Sequence, residues 1–227
     1  YANITPRSPS DPYRDRIVVS HGHTSPGVYA ALGRLDFFPI EAAVATFRKS
    51  GSPFEGHVEK GVPGVEWDTG NLGQGLSAGC GFALGSKILK KGFHVFVTMG
   101  CGEQQKGQIS EARRFAIKYG LDNLTVIIDY NLRQISGVTP DIMPQNISKN
   151  FESDGWWVIE VNGHHFQEIY SAFREATFSK HATVIIAHTT MGKGVSFMEN
   201  THVWHGKKIS EQEYAQAVRE LIEGTHG

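Results

Sequence analysis

Between a β-rich run and a helical pattern the chain carries Gly100-Cys101-Gly102. A turn at that place can direct the backbone amides of a helix start at an anion such as a diphosphate. The same glycines can equally serve a tight turn that needs only their backbone freedom. A dinucleotide fails on spacing, because its fingerprint needs a third glycine three positions after the second and the next one here is Gly107. Eleven histidines supply groups that titrate near neutrality, among them His23, His57 and His205, each beside a glycine in Gly22-His23, Gly56-His57 and His205-Gly206. An imidazole can bond to hydroxyls or shuttle protons. His94, His164, His165, His181 and His188 read as surface or structural side chains. Cys80 and Cys101 are too few for a disulfide framework and lack zinc-site spacing, which fits a reducing cytoplasm.

The elements that must position these residues alternate in β and α type, the signature of parallel βαβ units. Strands are expected at His94–Met99, Thr125–Tyr130, Trp157–Val161 and Ala182–Thr189. Helices are expected at Pro26–Leu35, Ile40–Lys49, Leu72–Lys90, Gln104–Tyr119, Phe166–Phe178 and Glu211–Glu223, with Gly120 capping the fourth and a turn over Asn131–Gly137. Trp156 and Trp157 read as packing residues. The fold class is α/β, a doubly wound, mainly parallel sheet flanked by helices, which holds ligands at the carboxyl ends of its strands.

At 227 residues the chain suits one domain spanning 1–227. Lys plus Arg (22) balance Asp plus Glu (23), so no charge footprint points to nucleic acid or a membrane surface. The apolar runs are too short to span a bilayer, and residues 1–16 are polar rather than signal-like. A start at Tyr1 in loop-like sequence suggests that an N-terminal segment precedes it.

Seven motifs in register resemble the N-terminal half of transketolases over nearly the whole chain. They are Arg14-Asp15-Arg16 through Ser20-His21-Gly22-His23, Gly56-His57, Pro63-Gly64-Val65-Glu66, Thr69 to Gly75, Gly100 to Gly107, Asp129 to Gly137, and His205-Gly206. Met191 to Glu199 and Trp204-His205-Gly206 resemble the split form, made as two polypeptides, and an end near Gly227 agrees. The resemblance implies thiamine diphosphate as cofactor, with a divalent ion, Mg²⁺ or else Ca²⁺ or Mn²⁺. It places the diphosphate and ion at Gly100, Cys101, Gly102, Glu103, Asn131 and the Arg133 carbonyl, and lines the cleft with Gly70, Leu72 and Gly73. It sets His23, His57 and His205 near the thiazolium and the donor sugar. It also implies a C-terminal partner subunit that supplies the carboxylate activating the aminopyrimidine, a homodimer of such pairs, sugar phosphate substrates, and a subunit interface for Glu111.

Cys101 departs from the family, which usually has Gly-Asp-Gly there, with the Asp a ligand of the ion. A thiol is a poor ligand for Mg²⁺ or Ca²⁺ and a better one for softer ions. Three outcomes stay open: a weakened Mg²⁺ site, a structural or regulatory relative without cofactor, or a softer metal. As an alternative to a buried structural cysteine, a thiol at a helix start can be reactive. Lys106 stands where many relatives carry an acid.

Overall fold

The computed structural model describes residues 2–224; Tyr1 and the end at Gly227 lie outside the described residues. Five parallel strands make the sheet, in the order β1 (Arg16–Val19), β2 (Val95–Gly100), β3 (Leu124–Tyr130), β7 (Thr183–His188), β6 (Trp157–Asn162). The inner strands are near-continuous apolar runs, as burial on both faces requires. One face sends Val95, Val97, Met99, Leu124, Val126, Ile128, Val184 and Ile186 into the main core. The helices α3 (Gly75–Ile88), α4 (Gly107–Lys118) and α6 (Ile147–Asp154) cover that face through Leu76, Ile109, Ala116 and Phe151. Val161 and Ile185 point to the other face, against Ala172 and Ala176 of α7 (Phe166–Phe178). Each such fully buried side chain contributes about 1.5–3 kcal/mol. The doubly wound parallel architecture is therefore present.

A smaller apolar cluster of Tyr29, Leu32, Ala43, Phe54, Val58 and Val62 seats α1 (Ser25–Arg34) and α2 (Ile40–Thr46) beside the end of β1. Arg14 and Glu66, both from sequence motifs, meet in an ion pair that Arg16 joins at 3.6 Å, so these motifs brace the loops around β1.

Several expectations need correction. β1 was not foreseen, and the turn over Asn131–Gly137 contains a two-residue hairpin, β4 (Arg133–Gln134) with β5 (Gly137–Val138). The short α5 (Thr139–Ile142) and α6 were also unforeseen. α2 stops at Thr46 because Phe47 leaves helical geometry at ψ 124° and Arg48 is left-handed at φ 55°. The helix expected from Gln104 is broken: a 3₁₀ turn over Gly102–Gln105 gives way to an extended Lys106, and α4 starts at Gly107. Trp156 is buried with its indole N–H donating to the Arg113 carbonyl, whereas Trp157 is 49 % exposed. α7 agrees with expectation at both ends, and α8 (Glu211–Gly224) closes the described chain. Among the described residues no helix is long and apolar enough to cross a membrane.

Candidate functional site

A cavity of about 440 Å³ opens where β1, β2, β3 and β7 end at their carboxyl edge. Its lining includes His21 and His23 after β1, Leu72 before α3, Gly100, Cys101, Gly102 and Glu103 after β2, and Asn131 and Arg133 after β3. Met191 follows β7, and a 3₁₀ turn over His202–His205 brings in Trp204 and His205. The volume falls in the range of ligand pockets, roughly 300–1,000 Å³. Gly100 leaves room for the His21 ring, whose Nδ1 lies 3.4 Å from where a Cβ would stand.

The histidines form a row. The His23 and His205 rings are 5.2 Å apart, and His21 stands edge-on to His23 at 6.3 Å. Burial, with the neighbouring His23, lowers the His21 pKa to about 4. Burial first, then His205 and His57, lowers that of His23, and burial lowers that of His205. These three imidazoles are neutral near pH 7, so they exchange hydrogen bonds rather than present charge. His57 is exposed and does not line the cavity, although it stands close enough to help lower the His23 pKa.

Glu103 lines the cavity and also braces it. Its buried carboxylate accepts from the Ser20 hydroxyl (2.6 Å), the Gly73 amide (2.7 Å) and the Gly100 amide (2.8 Å). Burial raises its pKa while these three donors lower it. Glu103 therefore ties together the end of β1, the loop before α3 and the end of β2. Gly73, at φ 85°, passes so close to Lys106 that a Cβ would sit 2.6 Å from the Lys106 Cβ. Neither Gly73 nor Gly70 (φ 146°) lines the cavity.

The expected anion donors at the Gly100 turn are partly committed. The Gly100 amide serves Glu103 and the Cys101 amide donates to the Asp129 carbonyl. An anion here would meet the 3₁₀ turn from Gly102 rather than the start of α4.

The three expected metal donors do converge. Cys101 Sγ, 1 % exposed as a residue, lies 3.7 Å from Asn131 Oδ1, 3.9 Å from the Arg133 carbonyl oxygen and 3.7 Å from Thr139 Oγ1. Leu132, held at φ 59°, and the Arg133 amide bonding Asn131 Oδ1 at 2.8 Å fix this turn. The Arg133 guanidinium turns away to the Asn200 carbonyl. Two oxygens and one thiol suit a hard dication poorly. The cleft's two carboxylates do not make up the deficit. Glu103 is held by the three donors above, and Asp129 accepts from Asn131 Nδ2 at 2.9 Å and from the Thr189 hydroxyl. No group of three or more His, Cys, Asp or Glu among the described residues is placed to hold a metal.

His21, Asp129, Gln134, Met191 and Trp204 are lining residues that sequence reasoning did not single out. All five were within reach, since each sits inside one of the family-like motifs.

A parallel α/β sheet with a polar turn and a row of imidazoles at its carboxyl edge defines a class: a doubly wound fold with its ligand cleft at the strand ends. Residues 1–223 match the family model described as "Transketolase, thiamine diphosphate binding domain". The chain belongs to the transketolase family. It is similar to a subunit of the apulose-4-phosphate transketolase of Phocaeicola vulgatus, with 40 % identity over 97 % of this chain and 79 % of that one. It is also similar to 6-deoxy-6-sulfo-D-fructose transketolase subunit SqwG of Clostridium sp. (strain MSTE9), with 37 % identity over 96 % and 80 %. The crystal structure of transketolase from Campylobacter jejuni subsp. jejuni superposes with a TM-score of 0.91 at 32 % identity, over 97 % of this chain and 36 % of that one. The chain thus spans about a third of that transketolase and most of the relatives named as subunits.

Proposed function

We propose that residues 1–227 form one thiamine diphosphate-binding domain, the N-terminal subunit of a two-polypeptide transketolase that moves a two-carbon ketol unit between sugar phosphates in the cytoplasm. The observation that carries this reading is the cleft in which His21, His23 and His205 face the Gly100–Gly102 turn and Asn131. When bound, the cofactor supplies the nucleophilic carbon and the electron sink for carbon–carbon cleavage. Its diphosphate would lie against the Gly102 turn, and Leu72 would give its rings an apolar wall. Neutral His23 and His205 can accept a proton from a sugar hydroxyl and return it to an oxygen, work suited to groups that titrate near neutrality. His57 would reach the donor sugar from the exposed margin, while Gly70 and Gly73 shape the loop that Glu103 anchors.

A C-terminal subunit would cover the cleft and supply the carboxylate for the aminopyrimidine. Two such pairs would form a homodimer, with the exposed Glu111 at an interface. The subunit names of the two split relatives support the partner, and their sugar names support a sugar or sugar phosphate substrate. Mg²⁺, Ca²⁺ or Mn²⁺ would be held by Asn131 Oδ1, the Arg133 carbonyl, the diphosphate and water, without help from a carboxylate at position 101. That deficit favours a second reading, a subunit that pairs and regulates without catalysis.

The test is transfer by the co-purified pair, given the cofactor, a ketose phosphate donor and an aldose phosphate acceptor, read by mass spectrometry. An acceptor lengthened by two carbons, formed only with both polypeptides, is expected. Absence of both cofactor binding and transfer from any ketose phosphate would leave the regulatory reading in its place.

A further inference from the structure

The donor set at Cys101 has a chemical preference of its own. A divalent ion in a zinc-like site stands about 2.3 Å from sulfur and about 2.1 Å from oxygen, and each sulfur–oxygen separation here can be bridged at those lengths. At the observed separations of 3.7 and 3.9 Å, the sulfur–ion–oxygen angles to Asn131 Oδ1 and the Arg133 carbonyl would be about 115° and 125°, near tetrahedral. The neighbouring carboxylates of Glu103 and Asp129 are held by protein donors on both oxygens. Magnesium and calcium select oxygen, whereas thiolate selects ions such as Zn²⁺, Co²⁺ and Cd²⁺.

We propose that Cys101 Sγ, Asn131 Oδ1 and the Arg133 carbonyl form a cation site that takes a thiophilic divalent ion in preference to Mg²⁺ or Ca²⁺ and offers that ion to the cofactor's diphosphate. The proposal rests on the thiamine diphosphate reading above. Binding is a ligand exchange with no redox step. A metal–sulfur bond replaces a metal–water bond, the displaced water goes to solvent, and the thiol proton goes to buffer. Thr139 Oγ1, 3.7 Å from the sulfur, is placed to bond to the thiolate from outside the ion's sphere. Cys80 is an internal control. It is buried against the Ala112 carbonyl, and burial pushes its thiol up to about 12, so it offers no competing thiolate.

The experiment titrates the full chain with Co²⁺ under reducing, phosphate-free conditions and records the sulfur-to-cobalt charge-transfer absorption. Cys101→Ser and Cys101→Asp run alongside, with thermal melts to establish that each variant is folded. The wild-type chain should develop the band, both variants should lack it, and competition should show Co²⁺ binding at least tenfold more tightly than Mg²⁺. Cys101→Asp should bring the two affinities at least tenfold closer together, because a carboxylate takes Mg²⁺ far better than a thiol does. A saturated wild type without the band, a band that survives in Cys101→Ser, or equal affinity for Mg²⁺ each overturns the proposal. Thiamine diphosphate calorimetry separates the two levels of the account. Uptake with Mg²⁺ by Cys101→Asp, alongside a wild type lacking the band, removes the thiophilic site and leaves the cofactor reading standing. No uptake by either chain with its partner in any ion removes the cofactor reading itself.

Discussion

His21 shows how one side chain couples the cleft to the stability of the fold. Its folded pKa, about 4, lies below the ordinary histidine value of 6.5, so the unfolded chain binds the proton more readily in that interval. Stability from this group is complete above pH 6.5 and drains away as pH falls towards 4, by an amount on the order of 2 kcal/mol for a side chain that keeps some contact with solvent. His23 and His205, lowered in the same direction, add to the slope. Urea unfolding across that interval should show the loss, and His21→Asn should flatten it; an unchanged slope would mean that His21 is not the group responsible. At this scale the sequence was half legible. The oddity of Cys101 was visible in the letters, because its meaning depends on identity. The role of Glu103 was not, because nothing in Gly-Cys-Gly-Glu tells whether the carboxylate turns into the cleft or back towards Ser20 and Gly73.

Elements were legible where many residues voted together. β2, β3 and β7 carry runs of Val, Ile and Phe long enough to declare themselves, and α7 presents a clean helical period. β1 escaped because only Ile17, Val18 and Val19 follow the charged Arg16 in a four-residue strand. The β4–β5 hairpin has two residues per strand, too few for any period. The helix expected to start at Gln104 fails at Lys106 because the segment before it is drawn into a 3₁₀ turn while Glu103 bonds backwards to three separate loops. Glu103→Gln tests that tie. The amide nitrogen would face donors where a carboxylate oxygen accepted, so about 1–3 kcal/mol of stability should be lost. Cofactor affinity should fall as well, since the Gly100 turn loses its anchor. A variant with native stability and native affinity would show that Glu103 does not organise the turn.

On the scale of the whole molecule, the cleft is built by four strand ends and the loops beyond them, yet it belongs to a chain about a third the length of the crystallised relative. Parallel pairing explains why the α/β class could be read in advance: alternation of elements leaves few topologies. A site shared with a partner polypeptide could not, because the partner's residues would leave no mark in this chain. Size-exclusion chromatography with light scattering should find the chain and its C-terminal subunit co-eluting with two copies of each, and ketol transfer should vanish when either is withheld. Separate elution at micromolar concentrations would count against a shared active site.

The cofactor remains the central claim, and calorimetry reaches it most directly. Thiamine diphosphate titrated into the co-purified pair, with Co²⁺, Mn²⁺ or Mg²⁺ present in turn, should give saturable binding with one cofactor per chain, tightest with Co²⁺. Binding heats indistinguishable from dilution with every ion, in both the wild-type pair and the Cys101→Asp pair, would contradict it.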